Sequence, residues 1–177
     1  MSRLSDCEVF RVTPKTARLV DVLLFSVFWW EHVFCLASFL RKAGITKAQT
    51  NRPRIVVGGF CTFNPVPLLA YADAVVVGDG EDVICDAVQG RTENPHILVD
   101  GKQSVKWSNV AALSGFVHET NGIARIEVAR GCRFNCSFCA VKHLKPYREL
   151  PVADVSLALQ KTQLRRVSLF APEPTMH

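Results

Sequence analysis

The stretch Arg54-Ile55-Val56-Val57-Gly58-Gly59 (residues 54–59) decides the fold, because it is a short apolar run that ends in two glycines. A run of this kind is typical of a strand buried on both faces of a parallel sheet. Two further apolar stretches flank it, at 21–28 and 72–77, and segments with helical patterning separate the three. The alternation of strands and helices predicts an α/β protein in which helices cover a parallel sheet.

Three helices are predicted between and after these strands. The first spans 31–43, places its apolar residues on one face, and is ended by Gly44. Shorter helices are predicted at 65–71 and 81–88, where Asn64 is a good N-cap for the former. The series β-α-β-α-β-α predicts a Rossmann-like parallel α/β unit.

The apolar run 20–40 is tested separately, since about 20 apolar residues can cross a bilayer. Asp21, Glu31 and His32 interrupt it, and the last two would lie near the bilayer centre, where charge is costly. We therefore predict a strand and a helix here, with no membrane partner.

The seven cysteines are odd in number and four are widely spaced, which does not suit a secreted disulfide scaffold. A cytoplasmic location is expected.

Changes in composition predict four segments along the chain. Residues 1–20 form a lead-in, and 21–90 form the Rossmann-like unit. Residues 91–123 are rich in glycine, serine and other turn formers, and predict a linker with a small hairpin around 97–105. Residues 124–177 begin a second unit. The net charge of +5 is scattered, so a nucleic-acid partner is permitted but not indicated.

The second unit is predicted as a strand at 124–129, a cysteine loop at 130–140, a helix at 151–163 and a strand at 166–170. The loop reads Arg130-Gly131-Cys132-Arg133-Phe134-Asn135-Cys136-Ser137-Phe138-Cys139. The C-x3-C-x2-C spacing lets three thiolates surround three corners of a cubane cluster, which leaves one iron open. Gly131 permits a tight turn, and the two arginines are expected to bring positive charge near the thiolates.

The sequence Arg-Gly-Cys-x3-Cys-x-Phe-Cys after an Ile-Glu-Val strand resembles the radical S-adenosylmethionine (SAM) superfamily. The resemblance implies that Cys132, Cys136 and Cys139 hold a [4Fe–4S] cluster and that Phe138 lies beside the adenine of SAM. It also implies that Glu173 lies near the SAM amino group, although this chain reads Ala-Pro-Glu where the family usually has Gly-Gly-Glu. Tyr147-Arg148-Glu149 matches the family pattern as well.

The same resemblance implies a reaction. A reductant such as flavodoxin or ferredoxin supplies an electron, SAM is cleaved to a 5′-deoxyadenosyl radical, and an unidentified substrate is modified, for example by methylation or methylthiolation. The fold implied is a partial (β/α) barrel. Such a barrel needs about six βα units, each on the order of 30 residues. The residues after Cys139 supply one helix and one strand, so we expect an incomplete barrel in a fragment, inactive by itself, or a barrel completed by a second chain.

The first unit carries a resemblance of its own. The segments 58–69 and 73–81 resemble the cobalamin-binding-type domain found before many radical SAM barrels. The resemblance implies a ligand site at Gly58 and Gly59, at the carboxyl edge of the sheet. An Asp-x-His-x-x-Gly motif is absent from the sequence, so no axial histidine is identified. A structural domain without cobalamin therefore stays open.

Two alternatives concern the cysteines. A non-catalytic module is possible, with an iron–sulfur cluster or with a Cys₃His zinc site that adds His143 to the three loop cysteines. Methylthiotransferases carry a second cluster on three N-terminal cysteines, and this chain has four cysteines before the loop: Cys7, Cys35, Cys61 and Cys85. Cys35 and Cys85 lie in apolar helical patterns, which predicts burial.

Overall fold

A computed structural model describes residues 11–110, 112–115 and 117–172. The chain forms two compact units, which divide between Ser108 and Asn109. Among the described residues, every helix falls short of the length or apolarity that a bilayer crossing requires.

The first unit is built around a sheet with strand order β1-β2-β3-β4. The first three strands are parallel, and β4 is antiparallel to β3. The strands are β1 (Val22–Ser26), β2 (Arg54–Gly58), β3 (Ala74–Val76) and β4 (Ile97–Leu98). The helices are α1 (Glu31–Ala43) and α2 (Ile84–Val88), with 3-10 turns at Ala17–Leu19, Phe60–Phe63 and Val66–Ala70.

Helix α1 confirms the bounds predicted from the sequence. Glu31 lies in its first turn, and Arg41 and Lys42 lie in its last turn, where each charge suits the helix dipole. Gly44 has a φ of 66° and donates its N–H to the Arg41 carbonyl at 3.1 Å. This left-handed cap ends the helix where the glycine predicts it.

Strand β2 is buried on both faces, as the opening stretch predicts. Ile55 and Val57 belong to the core cluster that contains Leu36 of α1. Val56 belongs to a second cluster, which contains Ala87 of α2. Since successive side chains of a strand point to opposite faces, α1 and α2 cover opposite faces of the sheet. The α/β prediction with parallel strands is therefore confirmed.

Other predicted elements of this unit differ from those observed. The helix predicted at 65–71 is a 3-10 turn, and only Ile84–Val88 of the segment 81–88 is α-helical. The hairpin predicted around 97–105 is wrong, because Ile97 and Leu98 pair with β3 instead. Both residues are buried, so pairing with the sheet removes more apolar surface from water than a separate hairpin would.

An ion pair joins the starts of β2 and β3. Arg52 donates to Asp73 through two guanidinium nitrogens, at 2.6 and 2.7 Å, and the Ile55 N–H donates to the same carboxylate at 2.8 Å. Burial tends to raise the pKa of Asp73. The hydrogen bonds from Arg52 and Ile55, with the charges of Arg52 and Arg54, outweigh that effect and lower the pKa below its usual value.

In the part of the second unit that the structure describes, the strands form two small sheets. One has the strand order β5-β6-β9, and the other pairs β7 with β8. The strands are β5 (Val117–Thr120), β6 (Ile123–Glu127), β7 (Ala129–Arg130), β8 (Arg148–Glu149) and β9 (Val167–Phe170). The helices are α3 (Ala140–Leu144) and α4 (Val152–Lys161). Strands β6 and β9 are parallel, and α4 lies between them in the chain.

A hairpin between β5 and β6 was not predicted from the sequence. Asn121 and Gly122 form its turn, with φ values of 53° and 71°. Positive φ at both central residues is the requirement of a type I′ turn, and Asn-Gly is its preferred sequence. The predicted strand at 124–129 is divided between β6 and β7, whereas the strand predicted at 166–170 is confirmed as β9.

Candidate functional site

The three cysteines of the C-x3-C-x2-C motif lie in a segment whose two ends are joined by a short antiparallel pair of strands. Strands β7 and β8 are antiparallel, with Ala129 opposite Glu149 and Arg130 opposite Arg148. Residues 131–147 therefore form one loop that connects β7 to β8, and this loop contains the cysteines and α3. We call it the cysteine loop.

All three cysteines are free thiols. Cys136 is exposed, and Cys132 and Cys139 are half-buried. The Cys139 N–H donates to the Cys136 carbonyl at 3.2 Å, which makes a turn between the second and third cysteines. Helix α3 begins directly after Cys139. The thiols are thus carried on irregular backbone that is open to solvent.

Gly131 begins the loop and is required by its geometry. It has a φ of 80°, and a Cβ at this position would lie 2.5 Å from the Pro146 carbonyl oxygen and 2.7 Å from that of Lys145. Real Cβ atoms do not approach oxygen so closely. The outgoing and returning backbones therefore touch at Gly131, in agreement with the turn predicted there.

Arg130, at the end of β7, and Arg133, on the cysteine loop, are both bound by carboxylates. Arg130 donates to Glu127 through Nε at 2.8 Å and Nη2 at 2.5 Å. Arg133 donates to Glu149 at 2.6 Å. We predicted that both would place positive charge near the thiolates. In the structure each of these charges is paired with a carboxylate, Glu127 at the end of β6 and Glu149 on β8. The effect of these charges on the thiolates stays a prediction.

Arg133 makes a second contact on the returning chain. Its guanidinium carbon lies 4.5 Å from the centre of the Tyr147 ring. The Tyr147 hydroxyl donates to Glu149 at 2.6 Å, and this hydrogen bond to a carboxylate raises the pKa of Tyr147. Arg133, Tyr147 and Glu149 are thus in mutual contact.

No three His, Cys, Asp or Glu side chains lie together as a metal-ligand set within residues 11–110, 112–115 and 117–172. This applies to the cysteine triad and to the Cys₃His set that includes His143 on α3. The donor chemistry of the loop still fits an iron–sulfur cluster. Three thiols share one short irregular segment with solvent access, and thiolates are the ligands that such clusters require.

The structure places the other predicted SAM contacts as follows. Phe138 is 90% exposed and directly precedes Cys139. Phe134, for which no contact was predicted, is 49% exposed on the same loop. Glu173 lies outside the described residues. The adenine contact at Phe138 therefore stays a prediction.

Gly58 and Gly59 lie at the carboxyl end of β2, where a ligand site was predicted. Gly58 accepts a hydrogen bond from the Val27 N–H at 2.8 Å. Gly59 has a φ of 106°, and a Cβ there would lie 2.8 Å from both the N and the O of Val27. Close packing of the loops after β1 and β2 thus accounts for Gly59. Cobalamin binding at these glycines stays a prediction.

The N-terminal cysteines occupy different environments. Cys61 is buried, and its thiol donates to the Phe28 carbonyl at 3.0 Å. Burial raises the pKa of this thiol, and the negative charge of Glu31 adds to the effect. Cys35 is exposed, which contradicts the predicted burial, because it lies on the outer face of α1. Cys85 is half-buried, and Cys7 lies outside the described residues.

The fold and the loop define an α/β protein with a mainly parallel sheet in one unit and a strand-anchored thiol loop in the other. The family model described as "Radical SAM proteins, N-terminal" matches residues 9–112, more than half of the chain. The chain belongs to this family. The resemblance to radical SAM proteins, which is carried mainly by the sequence of the cysteine loop, is therefore confirmed through a different part of the chain. No curated protein matches the sequence.

Proposed function

We propose that this chain binds a [4Fe–4S] cluster through Cys132, Cys136 and Cys139, and SAM at the iron that the protein leaves open. The observation that carries the proposal is the set of three free thiols on one strand-anchored loop, in a chain whose first unit belongs to a radical SAM family. When bound, the cluster supplies the electron that cleaves SAM to a 5′-deoxyadenosyl radical.

The residues of the chain have distinct roles in this proposal. The three cysteines bind iron, Phe138 packs against the adenine, and Glu173 binds the amino group of SAM. The parallel unit β6-α4-β9 supports the start of a (β/α) barrel, since such barrels repeat a strand, a helix and a parallel strand. The first unit serves as a Rossmann-like domain, which its parallel strands and two-faced core support.

Partners are proposed for electron supply and for the barrel. A flavodoxin or ferredoxin supplies the electron, and an unidentified substrate is modified. Strand β9 is at one end of the order β5-β6-β9 and exposes Val167, Leu169 and Phe170. A further strand from a second chain would pair with the edge of β9, and elements packed on the enlarged sheet would cover these side chains.

Anaerobic reconstitution with iron and sulfide tests the proposal. We expect about four irons and four sulfides per chain, as the cluster formula requires, and formation of 5′-deoxyadenosine when SAM and a reductant are added. Cys136→Ala should abolish iron uptake. The matched control is Cys35→Ala, which removes an exposed thiol outside the loop.

The alternatives give other results in the same experiment. Stoichiometric zinc without iron uptake would identify the Cys₃His module, and a cluster that never yields 5′-deoxyadenosine would identify a non-catalytic iron–sulfur module. Equal iron uptake by Cys136→Ala and the unmodified chain would refute the assigned ligands.

A further inference from the structure

Three side chains at the base of the cysteine loop form a connected set, which we call the loop clasp: Arg133, Tyr147 and Glu149. Arg133 Nη2 and the Tyr147 hydroxyl both donate to the same atom, Glu149 Oε2, each at 2.6 Å. The Arg133 guanidinium also lies 4.5 Å from the centre of the Tyr147 ring. Each member of the clasp therefore contacts the other two.

The clasp joins the two ends of the cysteine loop. Arg133 directly follows Cys132 and precedes Cys136, so it belongs to the outgoing segment. Tyr147 and Glu149 belong to the returning segment, where Glu149 is fixed by its ladder position opposite Ala129. The close approach of Gly131 to Pro146 lies at the same base. The segment that follows Cys132 is thus tied to strand β8 by the side chain of Arg133 as well as by the backbone.

We propose that the loop clasp positions the cysteine thiols for metal binding, so that Arg133, Tyr147 and Glu149 are positioning residues. That the metal is an iron–sulfur cluster rests on the function proposed above. An irregular loop loses conformational entropy when three of its side chains converge on one centre. A clasp that already restricts the segment lowers that loss, and this preorganisation strengthens binding without any contact to the metal.

The chemistry of each member suits this role. A planar guanidinium can donate in its plane to a carboxylate while its face lies over an aromatic ring, and the ammonium of lysine cannot do both. The hydroxyl of Tyr147 adds a donor to the carboxylate. Phenylalanine at 147 would keep the ring and lose this hydrogen bond, whereas alanine at 149 would remove the acceptor of both donors.

The first test uses the metal-free chain. Hydrogen exchange of the backbone amides 132–139 and the alkylation rate of Cys136 both report how freely the segment moves. We expect Glu149→Ala to raise both rates about threefold to fivefold, and Tyr147→Phe to raise them less. The matched control is Arg91→Ala, which removes a surface pair with Asp86 in the other unit and should change neither rate.

The second test uses the reconstituted chain and measures how fast a chelator removes iron. We expect Glu149→Ala to release iron about threefold to fivefold faster than the unmodified chain, with Tyr147→Phe between them. Arg133→Lys should behave like Glu149→Ala, since the charge alone does not rebuild the contacts. Circular dichroism of each variant checks that the fold is retained.

The two proposals fail in different ways. Unchanged exchange and alkylation in Glu149→Ala would overturn the clasp, whatever metal is bound. Faster exchange in that variant, in a chain that takes up no iron, would support the clasp and refute the proposed cluster. Equal iron release from all variants would also overturn the clasp as a positioning device.

Discussion

Replacing Asp73 with asparagine tests how the starts of β2 and β3 are held together. The change keeps the shape of the side chain and removes its negative charge. Two Arg52 nitrogens and the Ile55 N–H donate hydrogen bonds to this carboxylate. Arg52 is 9% exposed and Asp73 is 20% exposed, so the arginine would lose its counterion in a largely buried site. Breaking a fully buried pair costs about 3–5 kcal/mol, and the partial exposure here lowers the expected loss to about 2–3 kcal/mol.

The difference in free energy of unfolding between the unmodified chain and Asp73→Asn should become smaller as the pH falls. The pKa of Asp73 is lowered in the folded chain, so the folded state binds its proton less readily than the unfolded state does. The carboxylate therefore stabilises the fold above the unfolded pKa of about 3.9, and this contribution fades as pH falls through the folded pKa. The difference between the two proteins should be full at neutral pH and should shrink below about pH 4.

Urea unfolding followed by tryptophan fluorescence provides the assay. All three tryptophans, at positions 29, 30 and 107, lie in the first unit, so the signal reports the unit that contains the ion pair. Asp86→Asn is the control, because Asp86 pairs with Arg91 nearer the surface and its loss should cost less than about 1 kcal/mol. The reasoning would be refuted if both substitutions lowered the free energy of unfolding equally. It would also be refuted if Asp73→Asn lowered it by the same amount at neutral and at acid pH.

Three further predictions concern glycines and thiols. Gly59→Ala should destabilise the first unit by about 3 kcal/mol or more in the urea assay, because its Cβ would clash with the Val27 backbone. Gly44→Ala should cost about 1 kcal/mol, because its Cβ would make only an ordinary contact with the Arg18 side chain at 3.8 Å. Similar losses at the two positions would contradict the packing described. Gly131→Ala should cut bound iron at least roughly in half after reconstitution, and full iron uptake would show that the loop base tolerates a side chain. Iodoacetamide should label the exposed Cys136 at least about tenfold faster than the buried Cys61, whose pKa is raised, as followed by peptide mass spectrometry, and equal rates would contradict the burial of Cys61.

Local rules were sufficient for some elements of the fold. Helix α1 could be predicted at both ends because its charges, its apolar face and Gly44 all act within a few residues. The β5–β6 hairpin was missed although Asn121-Gly122 indicated it, since the surrounding turn formers favoured a linker. Strand β4 could not be recognised from its two residues, because its pairing depends on where β3 lies.

The candidate site likewise combines features that follow from local sequence with contacts that depend on the fold. The spacing of the three cysteines located the loop, since three thiols within eight positions are a local pattern. The contacts of Arg133 with Tyr147 and Glu149 join residues 14 to 16 positions apart and depend on the β7–β8 ladder, so the sequence did not show them. Gly59 was predicted to line a ligand site, and its close approach to Val27 could not be foreseen because it depends on how the loops after β1 and β2 pack.

The β7–β8 ladder makes the cysteine loop a structurally independent insertion between two paired strands. The backbone enters and leaves at paired residues, so the distance between the two attachment points is fixed by the ladder, whatever the length of chain between them. Insertions around α3 should therefore be absorbed locally, and doubling the loop would add only about 0.6 kcal/mol of closure entropy. The same geometry makes the segment 129–149 a suitable unit for transplantation onto another antiparallel pair of strands.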